Sequence, residues 1–198
     1  MKSPLEYKTV SDKAIDIHKA LQMIIEEHLQ VAQQLPLDQF EDIMDVINTS
    51  KKIFLLGAGR TGFMIKAAAM RLMHLGYTVY VVGETITPAI TTGDLLIVAS
   101  GSGTTQTIVK AAQTAQINGA NIVCFTTNPN APLSQISNYK ILIPAAGKQE
   151  KENNVSQQYA GSLFEQSFLL IFDAIIQDLW NRSGVSHDEL WKRHANME

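Results

Sequence analysis

Six consecutive small or hydroxyl-bearing residues, Ser100-Gly101-Ser102-Gly103-Thr104-Thr105, stand between an apolar run and a helical segment. Glycines let a ligand approach the backbone, and the N–H groups that open a helix favour an anion. The hydroxyls of Ser100, Ser102, Thr104 and Thr105 can donate to phosphate oxygens without adding fixed charge. The alternative, a Ser/Thr-rich turn with an N-cap, needs only one of them. No G-K-[ST] occurs, so nucleoside triphosphate hydrolysis is not indicated. A second stretch, Gly57-Ala58-Gly59-Arg60-Thr61-Gly62, also follows an apolar run and opens a helix, fitting G-x-G-x-x-G. Glu84 lies where the ribose-binding acid of a dinucleotide site would. From this loop alone, a dinucleotide site, another phosphate site and a plain strand-to-helix turn are all open. Arg60 is the fixed cation near both stretches, suited to holding a substrate, polarising its oxygens or forming a surface ion pair.

Proton transfer needs a titratable side chain held against the ligand. On a helical wheel Leu169, Phe172 and Ile176 lie within about 40° of Glu165, whereas Gln166, Asp173 and Gln177 form a separate polar stripe. A carboxylate heading an apolar stripe is costly to bury ionised unless something uses it; the alternative is a capping role in the first turn. His74 reads as packing, and His18, His28 and His187 show no ligand spacing with Cys, Asp or Glu, so no metal is expected.

The elements that must position these residues follow from periodicity. Apolar residues at Val10, Ala14, Ile17, Leu21, Ile24, Ile25, Leu29 and Ala32 predict a long amphipathic helix over residues 10–35 that packs on a sheet or on another subunit. Phe40, Ile43, Met44 and Ile47 predict a shorter one, with Asp38 as its cap. Apolar runs at 53–56, 78–82, 94–99, 121–125 and 139–143 alternate with helical segments near 61–75, 104–117 and 131–136. Such runs separated by helices predict a parallel sheet covered on both faces: an α/β, three-layer, doubly wound, five-stranded parallel sheet of flavodoxin-like type. A polar loop is expected over 145–158, a long helix over 160–182 and a tail to Glu198.

The chain reads as one domain of 198 residues: N-terminal helices in 1–48, an α/β core in 51–145, and a C-terminal helix and tail in 159–198. A net charge of −3 argues against a nucleic-acid partner. The lone Cys124 excludes a disulfide framework and suits a reducing cytoplasm. No secretory signal or membrane-spanning run is evident.

The Ser100–Thr105 loop resembles the S-x-S-G-x-T phosphate signature of sugar isomerase (SIS) domains. Gly57–Phe63, Ala69–Gly76, Val82–Pro88, Gly161–Glu165 and Arg193–Glu198 together resemble the 6-phospho-3-hexuloisomerases of that family, the departures being Thr61 for a common serine and Thr104 for a frequent charged residue. The resemblance implies a flavodoxin-like SIS domain with an N-terminal helical extension. It implies interconversion of D-arabino-3-hexulose 6-phosphate and fructose 6-phosphate through a cis-enediol, in the ribulose monophosphate route of formaldehyde fixation. A homotetramer, functional coupling to 3-hexulose-6-phosphate synthase and no metal or other cofactor come with it. Glu165 and His194 become the catalytic candidates, Glu165 as the base and His194 as a proton carrier acting within its own chain or across subunits. Gly59, Arg60, Ser100, Ser102, Gly103, Thr104, Thr105, Glu84 and Thr85 become substrate- or phosphate-binding candidates. The rival readings are a non-catalytic sugar-phosphate-binding SIS regulatory protein and a nicotinamide oxidoreductase.

Overall fold

A computed structural model describes residues 13–145, 156–159 and 161–197. Among them the continuous apolar runs become five strands: β1 (Ile53–Gly57), β2 (Val79–Val81), β3 (Leu95–Ala99), β4 (Asn121–Thr126) and β5 (Tyr139–Leu142). They form one sheet in the order β2-β1-β3-β4-β5, with every neighbouring pair parallel. Parallel strands need crossover connections; those after β1, β3 and β4 run through helices, whereas the chain returns from β2 to β3 without one.

One face carries Leu55, Ile97, Val123 and Phe125 against α2 (Gln39–Thr49), α3 (Gly59–Leu75) and α6 (Ser162–Ser183). The opposite face carries Phe54, Leu96, Val98 and Cys124 against α4 (Gln106–Ile117) and the short α5 (Pro132–Ile136). Alternation along each strand divides the two sets. Phe125, Phe168 and Phe172 form an aromatic cluster beneath α6, with Phe168 edge-on to Phe125 at 5.0 Å. Burial pushes the Cys124 thiol up, and the residue acts here as a small apolar side chain. Among the described residues no helix is long and apolar enough to cross a membrane.

The chain steps outward from β1 to β2 and then crosses back to β3, so the order reverses between β1 and β3. In doubly wound sheets ligands bind outside the carboxyl ends of the strands at this switch point. Gly57 and Ala99 are partners in register, so β1 and β3 end level and release their two loops side by side.

The leading helices depart from the expected pattern. In α1 (Lys13–Gln34) the stripe Ile17, Leu21, Ile25 and Leu29 is exposed at 51–72%. The inner face is instead formed by Met23, Ile24, Glu27, His28 and Val31. Asp38 stands at the N-cap of α2 but in helical conformation, and its side chain accepts no capping bond. The tail contains a further short helix, α7 (His187–Trp191), closed by a capping box between Ser186 and Glu189. Residues 146–155 of the expected polar loop lie outside the described residues.

Candidate active site

The first loop owes most of its glycines to its own tightness. A Cβ on Gly57 would fall 2.8 Å from Ile65 Cγ1, and one on Gly62 would fall 3.0 Å from the Gly57 carbonyl oxygen. These two permit α3 to start directly on the end of β1. Gly59 differs: at φ +59° it faces open space. Arg60, in the first turn of α3, donates from Nη1 to Glu165 Oε2 at 3.0 Å.

Glu165 is 3% exposed and stands in the first turn of α6. Its carboxylate is turned to Arg60, and Gly161, not a side chain, occupies the N-cap. The ion pair has one end buried and the other, Arg60, about half exposed.

The second loop leaves β3 and is braced by the end of β4. Thr126 Oγ1, Thr127 Oγ1 and Thr127 N–H all donate to the Gly101 carbonyl, at 3.1, 2.9 and 3.0 Å. Gly103 takes φ +63°, and a Cβ there would collide with Ala131 Cβ at 2.5 Å. The Ser100 and Thr105 hydroxyls meet at 3.0 Å, and the Thr104 hydroxyl donates to Ser102 Oγ at 3.0 Å. Four hydroxyls are thus paired within one turn at the start of α4, whose opening N–H groups have no carbonyl within the helix. A Cβ on Gly101 would lie 3.4 Å from the ring of Phe164, the residue before Glu165. The hydroxyl loop therefore packs against the first turn of α6, which carries Glu165.

A loop of four hydroxyls, a left-handed Gly103 and a helix start at the switch point have the donors to hold a phosphate, and a buried carboxylate follows the Phe164 ring that the loop touches. The SIS domain family model matches residues 46–164, which span β1, both loops and the start of α6. The chain belongs to the SIS domain family. Of its relatives, the 3-hexulose-6-phosphate isomerase of Mycobacterium gastri is 46% identical over 96% of this chain and 94% of its own length. That of Bacillus subtilis is 35% identical over 88% of this chain and 95% of its own. A crystal structure of a Methanococcus jannaschii protein, whose inferred molecular function is 3-hexulose-6-phosphate isomerase, superposes with a TM-score of 0.79. It is 29% identical and covers 91% of this chain and 99% of that one.

Not every candidate joins this SIS site within the chain. Glu84 turns to α3, where it pairs with Lys66 at 3.3 Å, and Thr85 is exposed. With Gly57 and Gly62 explained by packing and Glu84 ion-paired, the dinucleotide reading loses its supports. His194 lies further away. Its ring stacks on His74 with centroids 4.0 Å apart, and Arg193 Nη1 donates to the His74 carbonyl at 3.0 Å. Fourteen residues of α3 separate His74 from Arg60, about 21 Å along a helix axis. Burial first, then the His194 ring and Arg71, hold the His74 imidazole below its ordinary range.

The sequence reading passed over Thr126 and Thr127, which brace the SIS loop, and Glu27; it took His28 only as lacking ligand spacing, whereas Glu27 and His28 both contact the segments around α6. A charged residue at 27 between apolar Ile24 and Val31, at helical spacing, is the signal that could have found the last pair.

Proposed function

We propose that this chain is a sugar-phosphate isomerase that interconverts D-arabino-3-hexulose 6-phosphate and fructose 6-phosphate. The observation that carries the reading is the buried Glu165, paired to Arg60 at 3.0 Å and adjoining the hydroxyl loop at the switch point. The isomerases of M. gastri and B. subtilis are named for 3-hexulose 6-phosphate, and 46% identity to the first supports the same substrate here.

Moving the ketone from C3 to C2 takes the proton off C2 and delivers one to C3 through a cis-enediol. While the proton of the C2 hydroxyl passes to the C3 oxygen, the transfer assigned here to His194, Glu165 takes the proton from C2 and returns it to C3. As its carboxylate is neutralised, Arg60 loses its anionic partner just as charge grows on the substrate oxygens, so the guanidinium transfers its attraction to them. The phosphate sits on Ser100, Ser102, Thr105 and the α4 N-terminus, with Gly59 leaving the first loop open to it and Gly103 giving the second its left-handed turn against Ala131. Thr104 braces Ser102. Glu84 and Thr85 shape the rim beside α3. The non-catalytic reading leaves the buried Glu165 without work, and the nicotinamide reading leaves the hydroxyl loop without work.

The proposal extends to the assembly. Helices α1 and α2 extend one SIS domain, and the exposed α1 stripe Ile17, Leu21, Ile25 and Leu29 supports a homo-oligomer, taken here as a tetramer. His194 then serves a neighbour's site, since its own is about 21 Å along α3. The reaction belongs to cytoplasmic formaldehyde fixation by the ribulose monophosphate route, where a 3-hexulose-6-phosphate synthase supplies the substrate.

The test is the purified chain given synthase-generated 3-hexulose 6-phosphate, with fructose 6-phosphate measured as product. Turnover is expected, together with a light-scattering mass near four times 21.8 kDa. No product from a folded sample would overturn the activity, and a 21.8 kDa species at micromolar concentration would overturn the assembly. For the phosphate site, Ser102→Ala and Thr105→Ala each remove a charge-assisted hydrogen bond of about 1.5–3 kcal/mol. KM should rise about tenfold or more while kcat changes far less, and inorganic phosphate should inhibit less well. Unchanged KM and inhibition in both variants would mean that the anion binds elsewhere.

A further inference from the structure

We infer that Glu27 and His28, adjacent on α1, are positioning residues that grip the chain on both sides of Glu165 and so set where its carboxylate stands. The inference rests on the role proposed for Glu165 above.

Glu27 is 8% exposed and accepts three hydrogen bonds from one short segment. Ser156 Oγ donates at 2.8 Å, Gln157 N–H at 2.7 Å and Gln158 Nε2 at 2.9 Å. His28 reaches the far side. Its Nε2 lies 3.0 Å from Gln166 Oε1, and its Nδ1 lies 3.1 Å from Ser167 Oγ. A carboxamide oxygen only accepts, so Nε2 carries a proton and donates to Gln166, while Nδ1 pairs with the Ser167 hydroxyl. Residues 156–158 precede Glu165 and residues 166–167 follow it. Between the two grips the chain turns through Gly161 at φ +79°, an N-cap without a side-chain bond, into the first turn of α6.

A packing role does not account for Glu27. Beyond the His28 contacts, the groove between α1 and α6 is lined mostly by apolar side chains, among them Val31, Ile171 and Ile175. An apolar side chain at 27 would extend that contact without desolvating a charge. All three donors to the carboxylate come from residues 156–158, so what the charge secures is the entry to α6. Burial pushes the Glu27 carboxyl upward, but the Gln157, Gln158 and Ser156 donors and the nearby His28 together hold it below the usual carboxylate range. The grip is therefore fully formed at neutral pH.

The phosphate loop is braced separately, by Thr126 at the end of β4 and by Thr127 just after it. Releasing the α1 grip should therefore displace Glu165 from the reacting carbons without displacing the phosphate. A base moved by a fraction of an ångström loses rate and not affinity.

The experiment compares wild type with Glu27→Gln, Glu27→Asp, His28→Ala and the double variant Ser156→Ala/Gln158→Ala. For each, kcat, KM, inhibition by inorganic phosphate and amide hydrogen exchange over residues 161–167 are measured. Glu27→Gln turns an amide toward three donors, and its kcat should fall on the order of ten- to a hundredfold. KM and phosphate inhibition should stay within about twofold, and exchange at the start of α6 should quicken. The double variant and His28→Ala should move the same way, and Glu27→Asp should recover part of kcat by restoring the charge. If Glu27→Gln does not fold, the double variant carries the test. Wild-type kcat in the folded variants, or kcat and phosphate affinity falling together, overturns the inference. If wild type proves inactive on the hexulose phosphate, the proposed function fails, and exchange alone judges the grip. Quickened exchange then upholds it and unchanged exchange overturns it.

Discussion

Glu165→Gln keeps the fold and lowers kcat by roughly a hundredfold or more, the scale of a positioned general base. Glutamine has the same shape and can still accept from Arg60 through its amide oxygen, so the first turn of α6 has no steric reason to move. What it lacks is a basic oxygen for the C2 proton. The stability cost should be small, about 1 kcal/mol, because the Arg60 end of the pair is half exposed and water can solvate the guanidinium. Inorganic phosphate should bind as in wild type, since its hydroxyl and N–H donors belong to the β3–α4 turn. Glu165→Asp, one methylene shorter, should fall between the two, because a displacement of about 1 Å costs rate steeply. The decisive comparison is steady-state kinetics in both directions beside a thermal melt. A folded Glu165→Gln variant with near wild-type kcat would remove the residue from the mechanism.

The same carboxylate shows what sequence could and could not supply. Five apolar runs separated by helices were enough for the parallel sheet, because strands buried on both faces have nowhere to put polar side chains. The hydroxyl loop was legible for a related reason: six small or hydroxyl residues at a strand end have no packing use. Glu165 stood out against an apolar stripe. Its partner did not, because Arg60 and Glu165 lie 105 positions apart and meet only through the packing of α3 beside α6. The stripe of α1 was legible as a stripe but not as an outward one, since periodicity gives a face and not what covers it. Asp38 failed as a cap because the turn before α2 is itself helical, so no extended backbone swings the carboxylate over the N–H groups. The α7 helix carries its signal in Ser186 and Glu189, yet none of its residues is buried, and apolar periodicity is blind to such a helix.

His194 is where chain and assembly make opposite demands, and its variant carries the second large effect. Within one chain the tail is docked on α3: His194 stacks on His74, its Nδ1–H donates to the Leu190 carbonyl at 3.2 Å, and Arg193 covers Gly76. Ending the chain after Lys192 would remove that docking with the imidazole, so the point variant His194→Ala is the cleaner probe. If His194 serves a neighbour's site, His194→Ala should lower kcat by about 10²-fold, the contribution of a positioned proton carrier, while phosphate still inhibits. Mixing then separates the two arrangements. In an oligomer assembled from His194→Ala and Glu165→Gln subunits, a site built across subunits can combine the intact Glu165 of the first with the intact His194 of the second. Activity should then reappear after subunit exchange, in proportion to the mixed contacts formed. A site built within one chain always contains one lesion, and the mixture stays inactive. With about 21 Å of α3 between His74 and Arg60, recovery is the expected result. Wild-type kinetics for His194→Ala in both directions would show that the imidazole serves only to hold the tail on α3.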